Sequence, residues 1–316
     1  MKTVEQLRQF YQTDLLPDLR ALEDERKAAV RNLLIVVGAA LAIGLIACAA
    51  LLSRGPVGIF MAVGLLIVAG VVGSRMTRGF RSDFKVRVIG RLVRFIDENL
   101  RYSPGQGLPE SVFRTADLFK QHIDRYTSED QVAGKIGATE IAFSEVHAEY
   151  QTKDNKGNTQ WHTIFRGILF AGDFNKEFHG KTVVLPDTAE RLLGSLGRML
   201  QSWNVSRDGL VKLEDPEFEK EFVVHGTDQI EARYILSTSL MERIVQFKRK
   251  TAKRICLSFV GSRVFVAIPY NKNLFEPRLF STLLDFGPIA RYFEDLELAV
   301  GIVEDLNLNT RIWSKT

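Results

Sequence analysis

Cysteine is nearly absent from this chain of 316 residues: Cys48 and Cys256 are its only thiols. Two thiols cannot staple a small scaffold, so a disulfide framework is excluded. Histidine is sparse and scattered. His122, His147, His162, His179 and His225 form no HExxH motif and no Cys/His pairing at ligand spacing, so no metal centre is expected. There is no GxxxxGK[ST] phosphate loop and no GxGxxG behind a strand. Gly194-Ser195-Leu196-Gly197 lacks the spacing of a nucleophile elbow and reads as helix interior. No cofactor and no catalytic residue follow from the sequence. An excess of one charge is also missing, with 42 basic against 38 acidic side chains. No basic stripe with interleaved aromatics occurs, so nucleic acid is not an expected partner. Disorder is excluded by what is plentiful: 21 Phe, 7 Tyr and 3 Trp can build a large core.

The apolar residues are concentrated. Of the 41 residues from Leu33 to Gly73, 31 are hydrophobic. Leu33 to Leu52 carries no charge for 20 residues, enough at about 1.5 Å per residue to cross about 30 Å of hydrocarbon. Ser53-Arg54-Gly55-Pro56 breaks the run with turn chemistry, and Val57 to Gly73 forms a second run of 17 residues. Soluble cores rarely supply two such segments in succession, and a secretory signal would not follow 32 polar, amphipathic residues. The pair reads as a transmembrane helical hairpin, antiparallel because its connection is so short. Ala40, Gly44 and Cys48 on one helix, and Gly58 and Ala62 on the other, recur at helical spacing. They either let the backbones approach closely or are helix-tolerant filler. Neither helix has an ionisable residue at its middle, which argues against a proton relay or an ion path.

Charge follows the same partition. Residues 74–101 hold 8 basic and 3 acidic side chains, whereas residues 1–32 hold 6 of each. The basic character is a juxtamembrane collar of Arg75, Arg78, Arg81, Lys85, Arg87, Arg91 and Arg94, with a helix expected from about Ser82 to Leu100. Under the positive-inside rule both termini are cytoplasmic and the chain sits in the inner membrane with two spans. The collar reads either as a clamp on anionic lipid headgroups or as a topology signal with a solvated face. The expected organisation is a cytosolic amphipathic segment (1–32), the hairpin (33–73), the basic helix (74–101) and a cytosolic domain (102–316).

That domain reads as α+β with mostly antiparallel strands. Pro104-Gly105-Gln106-Gly107 is a linker. Val112, Ala116, Phe119, Ile123 and Tyr126 step by four and three, predicting one helix. Ile141 to Tyr150 and Trp161 to Phe170 read as strands of a hairpin with a polar tip at 153–158, which pairs His147 and His162 with residues near 166 and 151. A short strand at Thr182 to Leu185 precedes a capping pattern, Asp187 and Glu190, opening a helix with Leu192, Leu196, Met199 and Trp203 inward. Leu210 to Leu213 and Phe218 to Val224 read as strands, with a short turn or helix near Asp228 to Leu236. Ser239 and Glu242 predict a helix ending in Lys248-Arg249-Lys250, where cations suit the dipole. Ile255 to Val260 and Arg263 to Ile268 flank Gly261-Ser262, a Gly-first two-residue turn. A closing helix carries Ile289, Phe293, Leu296, Val300 and Val303.

Two polar clusters stand out. Ala171-Gly172-Asp173-Phe174-Asn175-Lys176 follows a strand, where binding groups are well placed, although Gly, Asp and Asn also form plain turns. The acidic run from Glu214 to Glu221 reads as a solvated edge or as a dock for a basic partner. Asp173, Asn175, Lys176 and Arg233 are the candidate ligand-binding residues.

Phe165-Arg166-Gly167-Ile168-Leu169-Phe170, Asp173-Phe174-Asn175-Lys176, the run from Asp215 to Val224, the run from Asp228 to Leu236, and Phe275-Glu276-Pro277 together resemble a known set. It is that of the bacterial membrane-protein family catalogued as domain of unknown function 3137. The resemblance covers roughly residues 80–300, and the two-span hairpin also fits the family. It implies a bacterial inner-membrane protein with a cytosolic α+β domain, and it brings no catalytic residues. The leading expectation is a non-enzymatic scaffold or sensor that binds a protein partner or small ligand and touches a bilayer with anionic headgroups. The alternatives are a membrane-tethered enzyme whose site assembles from distant residues, and an oligomeric pore or effector. The sequence leaves the oligomeric state open.

Overall fold

A computed structural model describes residues 2–50, 57–154, 157–187 and 209–309. The chain divides into two compact units, residues 2–92 with 275–292, and residues 93–274 with 293–316. Residues 275–292 therefore belong with the N-terminal helices, although in sequence they lie deep within the C-terminal part.

The first unit is built on two long helices, α1 (Val4–Ala50) and α2 (Gly58–Ile96), the latter supplying its residues up to Leu92. Helix α1 opens on a reciprocal cap: the Gln6 amide donates to the Thr3 hydroxyl at 3.2 Å, and the Thr3 amide donates to the Gln6 side chain at 2.9 Å. In each helix the most apolar stretch is only 11% buried. A core helix of a soluble protein would be mostly covered. Leu34, Ile35, Leu45, Ile46, Phe60 and Ile67 instead lie exposed. Small residues bring the helices together. A Cβ built on Gly44 would lie 3.2 Å from the Ala62 Cβ, and one on Gly58 only 2.9 Å from the Cys48 Cα. The stripe is thus a close-packed contact, and Gly58 has no room for a side chain. Below the apolar stretch, Leu7, Leu15, Leu19 and Leu22 of α1 and Phe80, Phe84, Val88 and Ile89 of α2 are buried. The turn around Arg54 lies outside the described residues.

The expected collar helix at Ser82 to Leu100 is the end of α2, which runs unbroken from Gly58 to Ile96 through a π-helical turn at Lys85–Ile89. Leu100 already belongs to a strand. An apolar span and an amphipathic segment share one 3.6-residue period, so nothing between them required a break.

Among the described residues the second unit carries a nine-stranded sheet, antiparallel at every pairing, in the order β1-β2-β3-β4-β9-β8-β5-β7-β6. The strands are β1 (Leu100–Ser103), β2 (Arg125–Ile136), β3 (Thr139–Lys153), β4 (Thr159–Asp173), β5 (Lys181–Pro186), β6 (Gly209–Val211), β7 (Phe222–Gly226), β8 (Cys256–Val260) and β9 (Arg263–Pro269). The helices are α3 (Glu110–Thr115), α4 (Pro216–Glu219), α5 (Gln229–Ile235), α6 (Thr238–Thr251), α7 (Phe286–Val300, shared with the first unit) and α8 (Ile302–Asp305). The β8–β9 hairpin turns at Gly261, whose φ of 62° needs glycine, and fills the place between β4 and β5. One sheet face buries Val146, Phe165, Leu169, Val183 and Phe265 beneath Phe113 and Leu118. The α+β reading with mostly antiparallel strands holds.

Several local expectations give way. The stripe from Val112 to Tyr126 is not one helix: α3 stops at Thr115, Asp117 takes a left-handed φ of 50°, and Tyr126 lies in β2. The Asp117 carboxylate holds Lys120 at 2.9 Å and Lys181 at 2.6 Å, which fixes the break. The apolar spacing reported burial and not helix, since Phe113, Ala116 and Ile123 are all buried. Helix α6 is capped by Ser237, whose hydroxyl accepts from the Leu240 amide, two residues earlier than the Ser239 pattern. Phe218 sits in a helical turn because Asp215 caps it and Pro216 occupies its first position. The hairpin register holds by contrast: on the β3–β4 ladder His147 pairs with Arg166 and His162 with Tyr150, one residue from 151, past a bulge at Ala148/Glu149. The expected helix with Leu192, Leu196, Met199 and Trp203 lies outside the described residues.

Candidate functional site

The base of the helical hairpin concentrates the buried charge of the first unit. Glu23, nearly fully buried, accepts from Arg26 Nε at 3.0 Å and Nη2 at 2.7 Å, and from the Leu283 amide at 3.0 Å. The guanidinium, together with that amide, holds the Glu23 carboxyl below the usual carboxylate range. Arg26 Nη1 donates to the Leu279 carbonyl at 2.7 Å, and the Tyr11 hydroxyl donates to the Leu284 carbonyl at 2.7 Å. Segment 275–292 is thereby strapped along α1. It is also tied to α2: Lys85 Nζ lies 2.8 Å from Glu276 Oε1, and Arg81 lies 3.3 Å from Glu276 Oε2. The Lys85 side chain is only 6% exposed. The π-helical turn that contains it adds a residue and so re-aims the helix surface at that level.

The basic collar is accordingly a set of unlike residues. Arg81 and Lys85 serve Glu276, Arg87 approaches Glu25 at 3.5 Å, and Arg91 binds Asp18 at 2.7 Å. Arg75, Arg78 and Arg94 are exposed.

In the second unit, a cavity of about 450 Å³ opens at the ends of β3, β4 and β9. Lys135, Glu140, Asp173 and Arg263 supply its charged lining, and Asp173 stands opposite Arg263 in the β4–β9 ladder. A wider trough of about 750 Å³ shares Lys135, Glu140 and Ile141 with it, and adds Arg101, Gln106 and Gln131. Here β1 crosses β2 closely: a Cβ on Gly134 would fall 2.2 Å from the Asn99 carbonyl oxygen. The result is a polar groove bearing both signs of charge.

A third, smaller cavity of about 280 Å³ gathers Thr127, Glu129, Glu145, His147, Arg166 and Asn273. Glu145 accepts from the Leu274 amide at 2.9 Å, and Arg166 donates to the Asn273 side-chain oxygen at 2.7 Å. His147 Nε2 is buried without a hydrogen bond, 3.6 Å from Glu149 Oε1. Burial holds the imidazole below its ordinary range, Glu149 pulls the other way, and Arg166 and Arg125 add to the depression.

The four candidate residues from the sequence fall in different surroundings. Asp173 lines the groove. Asn175 is a turn residue with φ of 55°, its amide 3.4 Å from Asp173 Oδ1. Lys176 lies 3.7 Å above the ring of Tyr234, and burial lowers its pKa against the pull of Glu231. Arg233 Nε donates to the Lys212 carbonyl at 3.2 Å. Lys176 thus meets α5, but Arg233 turns toward β6 and Asp173 toward the groove. The acidic run is largely internal structure: Glu221 binds Lys248 at 2.6 Å, Glu217 binds Arg249 at 2.5 Å, and Glu219 accepts from the Leu213 amide. Lys135, Glu140 and Arg263 carry no local motif, and only the sheet register brings them together; His147, equally without one, lines a different cavity. Among the described residues no cluster of three or more His, Cys, Asp or Glu is arranged to hold a metal.

Among known proteins, residues 163–308 match the family described as "Protein of unknown function (DUF3137)". The match spans the C-terminal part of the chain and shows that part to be similar to the family. Asp173, Arg263 and Glu276 lie within the DUF3137 match, whereas Lys135, Glu140 and His147 precede it. No curated protein matches the chain. A solved structure, that of the mycobacterial trehalose monomycolate transport factor A, TtfA, aligns at 11% identity with a TM-score of 0.31. The alignment covers 67% of this chain and 94% of that one. Function is therefore argued from this chain's own geometry.

The strap yields a direct energetic prediction. Glu276→Gln strands the buried Lys85 ammonium and is expected to cost on the order of 3 kcal/mol. Glu25→Gln, which loosens the exposed Arg87 pair, should cost about 0–1 kcal/mol. Equilibrium unfolding of the full chain in mild detergent compares the two. Equal losses would show that the Lys85–Glu276 pair does not hold the strap.

Proposed function

We propose that the chain is a membrane-anchored binding protein of the cytoplasmic (inner) membrane. Its two apolar helices span the bilayer, both termini are cytoplasmic, and its sheet presents a groove to a polar partner. The exposed apolar faces of α1 and α2 support the anchor, since they have no other way to leave water. The excess of Lys and Arg after the second span supports the orientation. The observation that carries the binding role is the groove itself. Lys135, Glu140, Asp173 and Arg263 offer both charges over a length that suits an extended peptide or a polar ligand of mixed charge. A photo-cross-linking residue in place of Glu140, in the full chain expressed in its native cells, should capture a discrete adduct. The same residue in place of the exposed Arg254 should not, and Arg263→Glu should abolish the capture at position 140. No adduct, or equal adducts at both positions, would overturn the groove as a binding site.

The cavity at His147 favours a second reading, a membrane-tethered enzyme, because it brings one imidazole together with Glu129, Glu145 and Arg166. A base there must be neutral near pH 7, and burial pushes His147 that way. With the folded pKa depressed, the unfolded chain takes up the proton first. Stability from this group is therefore present above pH about 6.5 and is lost as pH falls through the folded value. Histidine-selective NMR of the full chain should place the His147 midpoint below that ordinary value. A midpoint at or above it would remove this reading.

A further inference from the structure

The strap carries an exposed aromatic with no role in the first unit's core. Phe280 is 73% exposed, flanked by the exposed Arg278 and by Ser281 and Thr282. Its position along the hairpin is set by hydrogen bonds on either side of it: the Leu279 carbonyl is held by Arg26, and the Leu283 amide by Glu23. Arg26 lies seven residues before Leu33, where the charge-free run begins. At about 1.5 Å per residue that is about 10 Å along the helix. The polar layer on each side of the hydrocarbon is roughly 5–8 Å deep. Val30 and Arg31 therefore lie within that layer, and Phe280, near the level of Arg26, lies at its outer edge.

The helix surface at that level is shaped for an amphiphile. Arg26, Lys27, Val30, Arg31, Leu34 and Ile35 line an open groove of about 470 Å³. Its cations all precede Leu34 and Ile35 along α1, and those two are among the most exposed apolar side chains of the helix. Arg26 is committed to Glu23 and the strap, whereas the Lys27 side chain is largely exposed and lies 3.9 Å from Glu23. The order cation, then aliphatic, matches the order phosphate, then acyl chain.

We infer that this groove and the strap form an interfacial site for an anionic phospholipid, with Lys27 and Arg31 at the phosphate, Leu34 and Ile35 along the acyl chain, and Phe280 at its outer, headgroup end. The inference rests on the membrane-spanning reading proposed above. Charge complementarity selects the occupant: cations next to a bilayer gain about 1 kcal/mol each from anionic lipids, and an exposed Phe beside Arg is the composition of an interfacial anchor. The strap links the DUF3137 segment to that site, because Glu276, Leu279 and Leu283 are the residues that fasten it.

The test uses the full chain in nanodiscs of phosphatidylcholine, with and without phosphatidylglycerol, with Trp161, Trp203 and Trp313 replaced by Phe and with Phe280→Trp as reporter. The emission of that reporter should shift to the blue and be lost to lipids carrying a spin-label quencher on the headgroup. The loss should be greater with phosphatidylglycerol and should diminish in the Lys27→Glu/Arg31→Glu variant. Should the multiple variant not fold, hydrogen exchange of residues 275–284 in the natural chain reads the same contact: slower exchange with phosphatidylglycerol is expected. An inserted chain whose reporter is quenched by aqueous iodide and untouched by headgroup-labelled lipid in both compositions would overturn the site while leaving the anchor standing. A chain that does not enter nanodiscs at all would overturn both.

Discussion

Two apolar helices that cannot bury their faces against their own chain constrain everything else in this protein. Gly58 against Cys48 and Gly44 against Ala62 bring the helices into contact, but that contact covers little of their surface. Hydrocarbon is the solvent in which such a hairpin is at home, because its backbone bonds are satisfied internally and its side chains need no water. Every charge is consequently displaced beyond the ends of the apolar stretch. There the cations are sorted into those that hold structure, such as Lys85 and Arg26, and those left exposed, such as Arg75 and Arg78.

The strap makes that sorting consequential. Glu276 draws Lys85 into a buried pair and takes Arg81 as a second partner, while Glu23 and Arg26 bind each other and the strap backbone. A buried pair of this kind contributes little net stability, yet removing one partner costs several kcal/mol. It therefore specifies where residues 275–292 lie. The sheet of the second unit solves a different problem, covering one face with Phe113 and Leu118 while Lys135, Glu140, Asp173 and Arg263 gather at strand ends. Strand ends and their loops are where a rigid scaffold can display groups without disturbing its core.

Features written in local composition were legible. The two apolar runs, the Gly261-Ser262 turn, the pairing of His147 with Arg166 and the antiparallel character of the sheet all follow from spacing over a few residues. What failed was local pattern under tertiary override. The stripe from Val112 to Tyr126 has helical spacing but is broken by Asp117, whose partner Lys181 is 64 residues away. Strand β2 was missed because its sequence, from Arg125 to Ile136, is mostly polar and bulged near Asp130. The site was the least legible part. Asp173, a candidate from the sequence, lines the groove, whereas Lys135, Glu140 and Arg263 join it only through register, and Asn175 lies in a turn with a left-handed φ. The role of Glu276 in fastening a strap to Lys85, 191 residues earlier, has no local signature at all.

The proposed function requires the hairpin to cross the membrane with its connection outside. Ser53→Cys, made in a Cys48→Ala chain because Cys48 is partly exposed, places a thiol in that connection, while the natural Cys256 is buried. In intact cells a membrane-impermeant maleimide should label that chain and not the one carrying Cys48→Ala alone. Labelling that appears only after lysis would contradict the orientation, and with it the placement of the collar, the strap and the groove on the cytoplasmic side.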